Sequence, residues 1–149
     1  MDGSKPLPAF DDDYLLWAKA QAAAIRARDW NAVDLERVAE EIEDLGASDR
    51  RELENRITTI LEHLLKLDHG LVREPERQWR GTVLTQQDRL DVLLEKMPSL
   101  RPGVEDVLRK TYPRARRNTI RAFAIFEPGT DYDAVLPAEC PYTVADILE

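Results

Sequence analysis

The sequence predicts an all-α fold: a single-domain helical bundle with a central αα-hairpin and a C-terminal strap ending in a short helix. Three observations predict it. Apolar residues recur at three- and four-residue steps in successive stretches, which at about 100° per residue places each set on one face of a helix. These stretches tend to begin at Asp, Ser or Thr, which can cap a helix, and to stop at Gly or Pro. No alternating strand pattern of any length competes with them.

Taken in order, residues 1–10 hold Gly3, Pro6 and Pro8 and read as a flexible leader, with residues 11–149 as one helical domain. Asp11 is placed to cap the first helix, with Asp12 and Asp13 near its positive end and Phe10 able to staple onto Leu15. Tyr14, Trp17, Gln21, Ala24 and Arg28 follow along one side, until Asp29-Trp30-Asn31 interrupts the pattern. In Asp34–Gly46 the residues Leu35, Val38, Ala39, Ile42 and Leu45 form a stripe that reads as a buried face, capped by Asp34. Gly46 suits the left-handed position after a helix. Ser48 can then cap a second helix carrying Leu53, Ile57, Ile60, Leu61, Leu64, Leu67 and Leu71. Gly followed two residues later by Ser reads as a stop and a start, hence the hairpin; one long helix interrupted at Gly46 is the alternative.

Arg73-Glu74-Pro75 reads as a break, because proline disfavours helix in the residue before it. From Glu76 to Met97 the series Trp79, Val83, Gln86, Leu90, Leu93, Met97 has the 4-3-4-3-4 spacing of a bundle seam. Gln86 inside that seam needs a hydrogen-bond partner, since an unpaired buried amide loses about 1–3 kcal/mol. Pro98-Ser99 ends the helix, and Val104, Val107, Leu108, Thr111 and Ala115 begin another that Pro113 should kink or divide. Ile120, Phe123 and Phe126 lead to the turn Glu127-Pro128-Gly129. After an irregular strap, Thr143 and Asp146 have capping-box spacing for a short terminal helix.

With 149 residues, 43% hydrophobic and 34% charged, the chain has the balance of one globular helical domain. No apolar run approaches 18 residues, and Met1-Asp2-Gly3-Ser4 lacks the order of a secretory signal, so no membrane partner is expected and the cytoplasm is the expected location. A lone Cys140 allows neither an internal disulfide nor a cysteine zinc cage. The net charge of −8 opposes general attraction to nucleic acid. Within it, residues 101–126 form a basic island of 7 bases against 2 acids, next to residues 127–149 with 6 acids and no base. The simplest reading of the island is that it faces acidic segments of the same molecule.

Tyr14-Leu15-Leu16-Trp17, Ala39-Glu40-Glu41-Ile42-Glu43-Asp44-Leu45-Gly46, Leu61-Glu62-His63-Leu64-Leu65-Lys66, Trp79 with Pro98-Ser99-Leu100, and Cys140-Pro141-Tyr142-Thr143 are specific in combination. Through them nearly the whole chain resembles the bacterial family named domain of unknown function number 29. The resemblance implies a compact α-helical domain and carries no activity to any residue.

A metal site would need Glu41 and His63, brought together across the hairpin, with Gln86 as a candidate third ligand and at least one further ligand. His63 and His69 are six residues apart, about 120° around a helix, and cannot face one ion. No Glu-x-x-His or His-Glu-x-x-His motif occurs, and no cofactor and no catalytic residue are called for. Nucleic-acid binding would rest on the 101–121 island, with Arg109, Arg116 and Arg117 sharing part of one surface. Without catalytic spacing, and with its charge polarised, the chain reads best as a non-catalytic interaction or scaffold module for an unidentified protein partner. The sequence leaves the oligomeric state open.

Overall fold

The computed structural model describes residues 6–70 and 75–149. Leu71 of the expected leucine stripe, Arg73-Glu74 of the expected break and residues 1–5 of the leader lie outside the described residues. The described residues form helices and turns without a strand: α1 (Tyr14–Arg26), α2 (Leu35–His69), α3 (Glu76–Lys96), α4 (Val104–Phe126), α5 (Tyr132–Val135) and α6 (Val144–Leu148). By its contacts the chain divides into two compact units, Met1–Ser48 and Asp49–Glu149, with the division inside α2.

In the N-terminal unit Asp13, not Asp11, caps α1: its side chain accepts the Leu16 amide at 3.1 Å. Phe10 does not staple onto Leu15, which is exposed. Its ring meets Tyr14 and Trp17 edge-on instead, with the Arg37 guanidinium 4.2 Å above it. Helix α1 stops at Arg28, which takes a left-handed conformation (φ 58°). The Arg28 amide donates to Ile25 O and the Asp29 amide to Ala24 O, the two bonds of a Schellman stop. Buried Gln21 then ties the chain down, its Nε2 donating to Ala32 O (3.2 Å) and its Oε1 accepting from the Asp34 amide (2.7 Å). Asp34 caps α2 as expected, accepting from the Arg37 amide at 3.1 Å.

The central αα-hairpin is not formed. Helix α2 runs unbroken through Gly46 and Ser48. Gly46 does not take the left-handed conformation that a stop requires, and open space surrounds it. In a helix interior glycine costs only about 0.5–1 kcal/mol relative to alanine, which flanking helix formers offset.

The C-terminal unit holds the large core. Leu53, Ile57, Ile60, Leu61 and Leu65 of α2 pack with Val83, Leu90, Leu93 and Leu94 of α3 and with Val104, Leu108, Tyr112, Ala115 and Phe123 of α4. Fully burying one such side chain is worth about 1.5–3 kcal/mol. The α3 seam is the expected one at Val83, Leu90 and Leu93, which are buried, and differs at the glutamine: Gln87 takes the buried place and donates to Asp146 O at 3.2 Å. Gln86, on the border, accepts from Arg56 Nη1 at 3.0 Å and so finds its partner. Helix α4 runs undivided through Pro113, which faces outward. The strap carries α5 and ends in α6, whose Thr143–Asp146 capping box forms as the spacing predicts.

Candidate functional site

Two features stand out, one in each unit. The first is the stripe at the start of α2. Leu35, Ile42 and Leu45, expected as a buried face, are 64%, 63% and 69% exposed, and Val38 between them is half-buried. Among the described residues of this unit the buried side chains are Trp17, Gln21, Ala24 and Val33, drawn from α1 and from the turn before α2. Steps of 3, 4 and 3 put Leu35, Val38, Ile42 and Leu45 on one face of the helix, the seam pattern by which one helix receives another. Glu41 and Glu43 border it, and residues 34–46 carry six acids against Arg37 alone.

The second feature is a cavity of 350 Å³ in the C-terminal unit, between the end of α2, the start of α3 and the end of α4. Its walls are aromatic. Phe123 is buried, stacked on Tyr132 with ring centres 4.4 Å apart and edge-on to Trp79 at 6.3 Å. Gly70 permits this approach, since a Cβ there would lie 3.0 Å from Phe123 Cζ and 2.5 Å from Lys66 O. His63 and Lys66 face the cavity from α2. Nδ1 of His63 lies 2.9 Å from Thr59 O, and a carbonyl can only accept, so Nδ1 carries the proton. Removal from water holds the His63 pKa below its ordinary 6.5, outweighing the bond to Thr59, and the nearby Lys66 charge lowers it further. The neutral ring therefore presents Nε2 as an acceptor.

The other residues singled out from the sequence are dispersed. Glu41 is half-buried beside the stripe. The pairing with His63 depended on a turn at Gly46, and both residues stand on one continuous helix, so the geometry that suggested a shared ligand site is absent. Among the described residues no three His, Cys, Asp or Glu side chains are grouped to hold a metal ion. Arg109 pairs with Glu105 at 2.7 Å on the surface of α4, and Arg117 is exposed. Arg116 turns away from both and grips the strap. Nε donates to Pro137 O (3.0 Å), Nη1 to Asp133 Oδ1 (2.8 Å) and Nη2 to Asp133 O (2.7 Å). This contact joins the basic island to the acidic tail, as the charge pattern suggested. Burial raises the Cys140 pKa, keeping it a thiol whose Sγ contacts Tyr142 O at 3.6 Å.

Sequence reasoning missed the roles of Gln21, Gln87 and the Tyr142–Asp68 bond (2.7 Å). A glutamine on an apolar stripe was the available signal for the first two. Nothing in the chain pairs positions 68 and 142 in advance. The aromatic cavity was also missed, because its residues come from three helices and each reads locally as core.

A family model described as domain of unknown function DUF29 matches residues 9–149. No curated protein and no solved structure matches the chain. Among the described residues no helix is long and apolar enough to cross a membrane.

Proposed function

We propose, for a chain that belongs to the DUF29 family, the role of a non-catalytic protein-interaction module whose N-terminal unit receives an amphipathic helix with basic borders. One observation carries the reading: three large aliphatic side chains, Leu35, Ile42 and Leu45, stand more than 60% exposed on one face of α2. Scattered exposed leucines need no explanation, whereas a contiguous stripe at seam spacing marks an interaction surface. The unit behind it is small and has few buried side chains, so further apolar burial would add much to its stability. Charge selects the occupant. A second copy of this acidic helix would bring Glu41 and Glu43 against like charges, while Lys or Arg beside the partner's apolar face would complement them.

The test uses the full chain and two synthetic amphipathic helices with leucines at the same 3-4-3 spacing, one bordered by Lys and the other by Glu. The Lys-bordered peptide is expected to bind and to be lost on Ile42→Glu with Leu45→Glu, while the Glu-bordered peptide does not bind. Equal binding of both peptides, binding that survives the double substitution, or a concentration-dependent dimer abolished by it would overturn the reading.

A further inference from the structure

Outside the helix stripe, the cavity of the C-terminal unit combines three features that the core does not need. Trp79, Phe123 and Phe126 offer ring faces and edges to the same space, and Phe126 is exposed rather than folded into the core. His63 turns Nδ1 to its own helix and leaves Nε2 as an acceptor without a donor among the described residues. Lys66, one turn further along α2, lines the cavity and makes no ion pair among the described residues. A cavity that served packing alone would have no use for an ammonium and an open acceptor beside aromatic rings.

We propose that this cavity binds a small aromatic acid whose ring also carries a hydroxyl or N–H donor. Ring stacking holds the body against Trp79, Phe123 and Phe126, the acid group meets Lys66, and the hydroxyl or N–H donates to His63 Nε2. At 350 Å³ the space lies near the lower end of the range for ligand pockets, about 300–1,000 Å³, which suits one or two rings. The wall is preformed, since the stack on Tyr132 and the close approach at Gly70 hold Phe123 in place before any ligand arrives. Gln78 at the rim adds an amide that can serve either polar group.

The experiment titrates the full chain with 3-hydroxybenzoate, 4-hydroxybenzoate and indole-3-acetate, which carry both groups, with benzoate and phenol, which each lack one of them, and with cyclohexanecarboxylate, which lacks both the aromatic ring and the donor. Ligand-observed NMR and calorimetry read the affinities. At least one two-group aromatic acid is expected to bind about tenfold tighter than benzoate, phenol or cyclohexanecarboxylate. Lys66→Gln should reduce that ligand to the affinity of phenol and leave phenol itself unchanged. His63→Phe should reduce it to the affinity of benzoate. Circular dichroism of each variant checks folding, and Phe126→Ser, at an exposed position, supplies a wall variant that leaves the core intact and should weaken every aromatic probe. Affinities within about twofold of one another across the probes, no binding by the wild-type chain at about 10 mM, or a preference that survives Lys66→Gln would overturn the proposal.

Discussion

The two halves of α2 carry the same apolar periodicity and meet opposite fates. Leu35, Ile42 and Leu45 in the first half are mostly exposed, while Ile57, Ile60, Leu61 and Leu65 in the second are sealed at 0% exposure. A stripe records that one face of a helix is apolar, and says nothing of what covers it. In the C-terminal half α3 and α4 bring long aliphatic side chains to the stripe. In the N-terminal half the short α1 buries Trp17, Gln21 and Ala24 and leaves most of the leucine face open.

The sharpest break of that comparison is a matched pair of truncations. Ile60→Ala should cost about 2–5 kcal/mol in urea unfolding of the full chain, because the cavity left at a fully buried site adds to the lost burial. Ile42→Ala should fall within about 0.5 kcal/mol of wild type, alanine being also the better helix former. Equal losses would show the first stripe to be as buried as the second, and with that the proposed partner surface fails. Next in size is the anchor of the strap. Arg116→Met removes the donors to Pro137 O and to Asp133, and should cost about 1–3 kcal/mol while leaving the affinity for a nucleic-acid probe unchanged. A mobility shift abolished by Arg116→Met in a folded chain would return this residue to a binding surface.

Smaller effects test where helices stop. Gly46→Ala should stabilise by about 0.5–1 kcal/mol, since Gly46 is helical with open space at its Cβ position. A loss of similar size would mean a left-handed glycine and restore the hairpin. Arg28→Gly should be neutral or mildly stabilising, because glycine takes the left-handed conformation without the strain of a Cβ; a clear loss in thermal melting would contradict the stop seen there. The smallest effect is in pH. His63 has a folded pKa below its unfolded value of about 6.5, so its contribution to stability is present above that pH and is lost as pH falls through the lowered folded value. The difference in urea midpoint between wild type and His63→Gln should therefore narrow on acidification. A difference independent of pH would mean that the ring is not held neutral by burial.

Glycine shows best where the sequence can be read and where it cannot. Gly46 looks like a stop and is passed through, whereas α1 stops at an arginine that no sequence rule would choose. Both outcomes differ from a normal helix by about 1 kcal/mol of backbone preference, a margin that packing on either side easily exceeds. The caps at Asp34 and Thr143 were legible because donor and acceptor lie within three residues of each other. Gln86 was legible as a polar side chain in need of a partner. That the partner is Arg56, and that Gln87 takes the buried place, depends on the exact turn of α3 against its neighbours.

By itself, then, the sequence determined the helical class, the existence and approximate span of α1, α3 and α6, the start of α4, and the caps at Asp34 and Thr143. These rest on interactions within one or two helical turns, where spacing along the chain is spacing in space. Tertiary structure alone decided which stripe is covered, where Arg116 points, and that His63, Lys66, Trp79 and Phe123 line one cavity. Those outcomes depend on side chains tens of residues apart meeting across helices, and burial is a property of the neighbour as much as of the residue.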